Sequence, residues 1–191
     1  MVTTDKSFSN NEITLLKSLI GKELFTLDAY IVARGDIAWN TVRLHCSDLC
    51  IDVNNGLEEI TVDEFGNADE FGIVRISKTD DETLIIPGVG CEATIIPINK
   101  TIHSISVVDE LIEIGNNNET VSKLKYAQAI IFNFEDESLI LDKEVWFDET
   151  LAIKAGPDPN TLIYDDSVNW EDDPLEDPTT HYHVKTEGYS I

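Results

Sequence analysis

From Ser9 to Gly21 the apolar residues keep a helical spacing. Ile13, Leu16 and Ile20 fall on one stripe, which Leu15 and Leu19 widen. Ser9-Asn10-Asn11-Glu12 reads as a capping box, in which the Ser hydroxyl and the Glu carboxylate satisfy the first unpaired amides of a helix. Gly21 stands where a C-terminal cap is wanted. The pattern predicts one short amphipathic helix covering a face of a sheet.

After Gly21 the period changes to two. Phe25, Leu27, Ala29 and Ile31 alternate with Thr26, Asp28 and Tyr30; Val42, Leu44 and Cys46 alternate with Arg43 and His45. Ile73–Lys78 predicts a strand, Thr79–Glu82 a turn, and Leu84–Ile86 a returning strand. Pro87-Gly88 interrupts the run, and CEATIIP resumes it as far as Pro97. TIHSISVV, YAQAIIFNF, SLILD and LAIKA follow as further short strands, and Val145-Trp146-Phe147 reads as core. Many short strands with turn signals between them predict a mainly β chain (α+β by count): an antiparallel sandwich or barrel with one N-terminal helix.

The strands carry a hint of repetition. Val42, Leu44, Cys46, Asp48, Ile51 and Val53 match Ile130, Phe132, Phe134, Asp136, Leu139 and Leu141, each pair 88 positions apart (42 and 130). Upstream, Ile20, Lys22, Leu24 and Leu27 match Ile98, Lys100, Ile102 and Ile105 at a separation of 78 (20 and 98). Two related β-meanders are expected, over 21–56 and 99–156, within one domain spanning 1–156. From 157 to 191 the character shifts. Prolines at 157, 159, 174 and 178 forbid long regular elements, and Lys185 is the sole Lys or Arg against nine carboxylates. An irregular acidic C-terminal arm is expected there, pinned in part by Leu162, Ile163, Tyr164, Val168 and Trp170.

Charge narrows the partners. The 191 residues hold 37 Asp and Glu against 13 Lys and Arg, a formal net charge of −24. Such a field repels phosphate backbones and anionic membrane surfaces, and it speeds encounter with basic proteins and cations. The N-terminal stretch MVTTDKSFSNNE has no apolar segment of a secretory signal, and no apolar run is long enough to span a membrane as a helix. With three cysteines, an odd number, reduced thiols and a cytoplasmic location are expected.

Few residues propose chemistry. His181-Tyr182-His183-Val184-Lys185-Thr186-Glu187 places two imidazoles on one strand face with a carboxylate beyond. These seven residues resemble the first metal motif of the cupin family, and the resemblance implies His181, His183 and Glu187 as metal ligands. The departures are Leu175, where the motif has Gly, and an end at Ile191 before the second motif with its further His. His45-Cys46 with Cys50 has a zinc-like spacing, with only Cys91 and His103 left as partners. Cys46 is expected to point inward with Leu44, and His45 outward. Asp28, Asp36, Asp48 and Asp136 fall on strands or turns, and none is assigned a catalytic role. GVGCEAT lacks the Lys-Ser/Thr of a phosphate loop. No cofactor is expected.

Trp170, followed directly by Glu171, Asp172 and Asp173 and then by Glu176 and Asp177, reads as an aromatic anchor ringed by negative charge for a basic partner. The expected function is therefore a non-catalytic, acidic binding protein for a basic protein. In size, charge and strand content the chain is similar to small acidic bacterial immunity proteins, which neutralise basic toxins, nucleases among them. Two alternatives stand beside it. One is a small-molecule pocket at the seam of the two half-domains, with enzymatic activity there left open. The other is cation binding by the acidic, His-containing arm.

Overall fold

The computed structural model describes residues 1–32, 36–80, 83–85, 93–116, 119–143, 147–163 and 180–191, apart from the side chains of 116 and 180–182. Among them are one α-helix and eleven strands. The helix α1 is Asn10–Lys17. The strands are β1 Val2–Lys6, β2 Glu23–Ile31, β3 Ile37–Cys46, β4 Leu49–Thr61, β5 Ala68–Thr79, β6 Thr94–Thr101, β7 Ser104–Asn116, β8 Glu119–Asn133, β9 Ser138–Asp142, β10 Thr150–Gly156 and β11 Thr180–Ser190. They form one open sheet, antiparallel apart from β1, with the path β11-β7-β8-β9-β10-β3-β2-β6. Strand β4 lies between β3 and β5, and β1 runs parallel to β8. The mainly β, one-helix reading holds, and the sheet does not close into a barrel.

The helix begins as its capping box requires: the Ser9 Oγ accepts from the Glu12 N–H, and the Glu12 carboxylate accepts from the Ser9 N–H at 2.8 Å. Leu16 and Leu19 are buried, but Ile20 is 37% exposed. The helix stops at Lys17, and the following turns carry Ile20 off the stripe before Gly21 takes φ +83°. Glu12 has a second task, since its Oε1 accepts the Ile76 N–H of β5 at 3.0 Å.

The strands fall into two five-stranded sets, β2–β6 and β7–β11, each a four-stranded meander whose fifth strand returns beside the first, with a common register. Leu27 opposes Leu44 as Ile105 opposes Phe132, and Ala29 opposes Val42 as Val107 opposes Ile130. Leu44 faces Ile51 as Phe132 faces Leu139. The correspondence continues outward: Val53 pairs with Ile76 as Leu141 pairs with Ile153, and Asp28 with Ile95 as Ser106 with Ser190. Both β2 and β7 shift register near the same point, after Ala29 and after Val108. The two sets run from Glu23 to Thr101 and from Ser104 to Ser190. Their inward residues join in one core containing Leu27, Leu44 and Ile51 together with Ile105, Phe132 and Leu139. A second cluster joins the long hairpins, Ile60, Phe71 and Ile73 meeting Ile112, Leu124 and Tyr126.

Several local expectations change. The irregular reading of 157–191 gives way at its end: β11 pairs with β7 over eleven positions, from Thr180–Asn116 to Ser190–Ser106. Past Pro178 no proline interrupts the chain, and Thr, Tyr and Val favour the pleated form. Strand β6 runs through Pro97, because among the described residues it pairs only with β2 and so has an unpaired side. Phe147 is 56% exposed instead of core, and Val145 and Trp146 lie outside the described residues.

The two meanders meet along two seams. At one, β10 pairs directly with β3. At the matching place between β5 and β8 stands β1, hydrogen-bonded to β8 over Ser122–Tyr126, with its Lys6 carbonyl accepting from Arg75 of β5 at 3.0 Å. Lys6 and Arg75 also flank Glu58, at 2.6 and 3.1 Å. Burial opposes the ionisation of Glu58, but the two cations outweigh it and hold its carboxyl below the usual range. Farther along, the buried Lys143 ammonium lies 3.5 Å from the Tyr126 ring centroid and donates to the Gly72 carbonyl at 2.6 Å. Asn55 Nδ2 donates to the Asp148 and Thr150 carbonyls, both at 2.9 Å.

Candidate functional site

The outer face of the first meander follows from parity. With Val42, Leu44, Ile51 and Val53 in the core, Arg43, His45, Cys50 and Asp52 must point outward, and Asp28 joins them from β2. Register then sets them side by side, His45 opposite Cys50 and Arg43 between Asp28 and Asp52. Arg43 is 4% exposed and forks onto Asp52, with Nε and Nη2 at 2.7 and 2.9 Å from the two carboxylate oxygens.

Beside that pair lies a connected triad. The Cys50 Sγ is 3.2 Å from His45 Nδ1, and His45 Nε2 is 2.9 Å from Asp28 Oδ2. A carboxylate only accepts, so Nε2 carries the ring proton and Nδ1 is left to accept from the thiol. The second carboxylate oxygen, Asp28 Oδ1, is buried without a hydrogen-bond partner. Burial pushes the Cys50 thiol up, the Arg43 charge opposing and Asp28 and Asp52 reinforcing it. Cys46, on the opposite face of the sheet, is buried in the core and its thiol is pushed up to about 11, chiefly by desolvation. Cys50 and His45 open on a cleft of ≈ 310 Å³ at the β3–β4 turn, walled also by Asp48, Lys78, Thr79 and Asp80. A second cleft of ≈ 350 Å³ lies at the β8–β9 turn beside Lys100, His103, Phe134 and Asp136. The first cleft lies within the first set of strands, whereas the second is bordered by Asn99, Lys100 and Thr101 at the end of β6 and by Phe134, Glu135 and Asp136 of the β8–β9 turn, where the two sets adjoin.

A third feature stands at the tip of the β4–β5 hairpin. Asp63 Oδ1 accepts the N–H groups of Phe65 and Asn67, both at 2.9 Å, and Gly66 turns the chain at φ +85°. Desolvation opposes the ionisation of Asp63, but these and neighbouring hydrogen bonds together outweigh it and hold the carboxyl below its usual range. The turn lifts Phe65 into solvent, 85% exposed. Glu59, Glu64, Asp69 and Glu70 surround it, all exposed, and no Lys or Arg occurs from Leu44 to Val74.

The sequence-derived sites fare differently. Trp170, Glu171, Asp172, Asp173, Glu176 and Asp177 lie outside the described residues, as do Cys91 and the side chain of His181. His183 and Glu187 are exposed on β11, opposite Glu113 and Asp109. Four strand positions separate them by about 13 Å, too far to ligate one ion together. The zinc reading of His45, Cys46 and Cys50 fails because Cys46 faces the core, and no metal-holding group of three occurs among the described residues. The inward Cys46 and outward His45 were readable from alternation. The triad was not, since it depends on the register of three strands.

Fold and site together define an open antiparallel β protein of paired meanders, bearing a thiol triad on one outer face and an acidic hairpin tip. No family model, curated protein or solved structure matches the chain. Among the described residues no helix is long and apolar enough to cross a membrane.

Proposed function

We propose that this chain is an acidic docking protein for a basic protein partner, engaged in the manner of an immunity protein. The observation that carries the reading is Phe65, raised on a hydrogen-bonded turn and framed by Glu59, Glu64, Asp69 and Glu70. A large apolar ring in solvent is unfavourable in isolation and becomes an anchor when a partner covers it. The surrounding carboxylates steer a cationic surface toward it and disfavour nucleic acid and anionic lipid. Trp170 with Glu171, Asp172, Asp173, Glu176 and Asp177 supplies a second aromatic–acidic element of the same kind.

The test compares the native chain with Phe65→Ala and with Glu59, Glu64, Asp69 and Glu70 changed to Lys. Each is immobilised and exposed to the source lysate at low and at high salt. A cationic protein held by the native chain at low salt, released by high salt and lost from both variants is the expected result. Equal capture by all three chains would remove the hairpin from the reading.

A further inference from the structure

We infer that Cys50, assisted by His45 and Asp28, is a nucleophilic thiol that accepts the acyl group of a small activated ester or thioester. Three observations on different strands converge. The hydrogen-bond line Cys50–His45–Asp28 joins nucleophile, base and positioning carboxylate at 3.2 and 2.9 Å. It opens on the cleft at the β3–β4 turn, where a reacting carbon can approach the sulfur. The free Oδ1 of Asp28 is buried beside the ring, which suits a carboxylate whose partner gains a positive charge during reaction.

The second meander serves as an internal control. At the matching positions stand Ser106, Asn133 and Ser138, where the Ser138 hydroxyl donates to the Asn133 Oδ1 at 2.8 Å. The same backbone register therefore accommodates an inert amide–hydroxyl pair, and the fold does not require Cys, His and Asp there. The resting site holds a thiol instead of a thiolate, since burial favours the neutral form. His45 must accordingly act as a base within the step. The Cys50 S–H proton passes to His45 Nδ1 as the sulfur–carbon bond forms. The bond from carbonyl carbon to the leaving oxygen or sulfur breaks, and that atom takes the proton from His45. Nothing is oxidised or reduced.

The probe is p-nitrophenyl acetate on the full chain near neutral pH. One p-nitrophenolate per chain is expected in a burst, with the acetyl group on the Cys50 peptide by mass spectrometry. His45→Asn is expected to slow acylation by at least about tenfold and to give the rate the pH profile of an unassisted thiol. Asp28→Asn is expected to slow it less, with the same change of profile. Free N-acetylcysteine in the same tube tests the native chain without any variant, and Cys50 should outpace it by at least about tenfold. Acylation of Cys50 no faster than the free thiol, or unchanged in a folded His45→Asn chain, overturns the inference.

Discussion

The inner faces of the two meanders agree residue by residue, while their outer faces share almost nothing. Where the first carries Arg43 forked onto Asp52, the second carries Ile131 and Ile140, packed with Val108 and Ala129 beneath Leu162 and Ile163. Where the first carries Asp28, His45 and Cys50, the second carries Ser106, Asn133 and Ser138. Backbone register is set by the buried alternation, because a slip of one residue turns the whole apolar set to solvent. The outer face escapes that constraint and takes whatever covers it: a charged and reactive layer in one meander, an apolar layer under a connecting segment in the other.

The comparison breaks most readily at the core. Phe132→Ala and its counterpart Leu44→Ala should each destabilise the chain, by about 3–5 and about 2–5 kcal/mol. Because both side chains sit in one cluster, urea denaturation followed by tryptophan fluorescence and by far-ultraviolet circular dichroism should show one shared transition. Two separated transitions would mean that the meanders fold independently.

A smaller effect sharpens the outer-face contrast. Asp52→Ala strips the bidentate partner from a buried guanidinium and should cost about 3 kcal/mol in urea unfolding. Replacing Arg43 and Asp52 together by Ile copies the second meander and should recover most of that loss, since apolar residues commonly replace a buried ion pair at little or no cost. A double variant as unstable as the single one would show that the two outer faces are not interchangeable.

The smallest effect concerns the paired turns. Lys22 meets Asp48 at 2.5 Å and Lys100 meets Asp136 at 2.7 Å, and the lysine hydrogen bond is the main cause that holds each carboxyl below its usual range. An acid depressed in the folded chain contributes stability above its unfolded pKa, and the contribution fades as pH falls through the folded value. Lys22→Met should return Asp48 toward the ordinary carboxylate range in an NMR titration, and Lys100→Met should do the same for Asp136. Because the carboxylates are solvated, the thermal midpoint should move only slightly.

Alternation made β2, β3 and the hairpin β8–β9 legible, including the inward Cys46 and the matched residues 88 positions apart (Val42 and Ile130). The long β4–β5 hairpin was hidden by Asn54-Asn55-Gly56, which reads as the end of a meander. Asn55 is fully buried mid-strand, and its Nδ2 donates to the Asp148 and Thr150 carbonyls, more than ninety positions away. No local pattern announces such partners. Strand β1 was hidden for a related reason: VTTDK is polar and gains its place from β8. The triad shows the same limit, because parity points His45 outward but only register brings Cys50 and Asp28 to it.

One consequence follows from the N-terminal segment. Without β1 along β8 and without Glu12 on the Ile76 N–H, backbone donors and acceptors of β5 and β8 would face water as open strand borders. Open borders recruit other chains into continuing sheets. The first dozen residues thus cover these borders, and trimming them should leave β5 and β8 open to pairing with other chains.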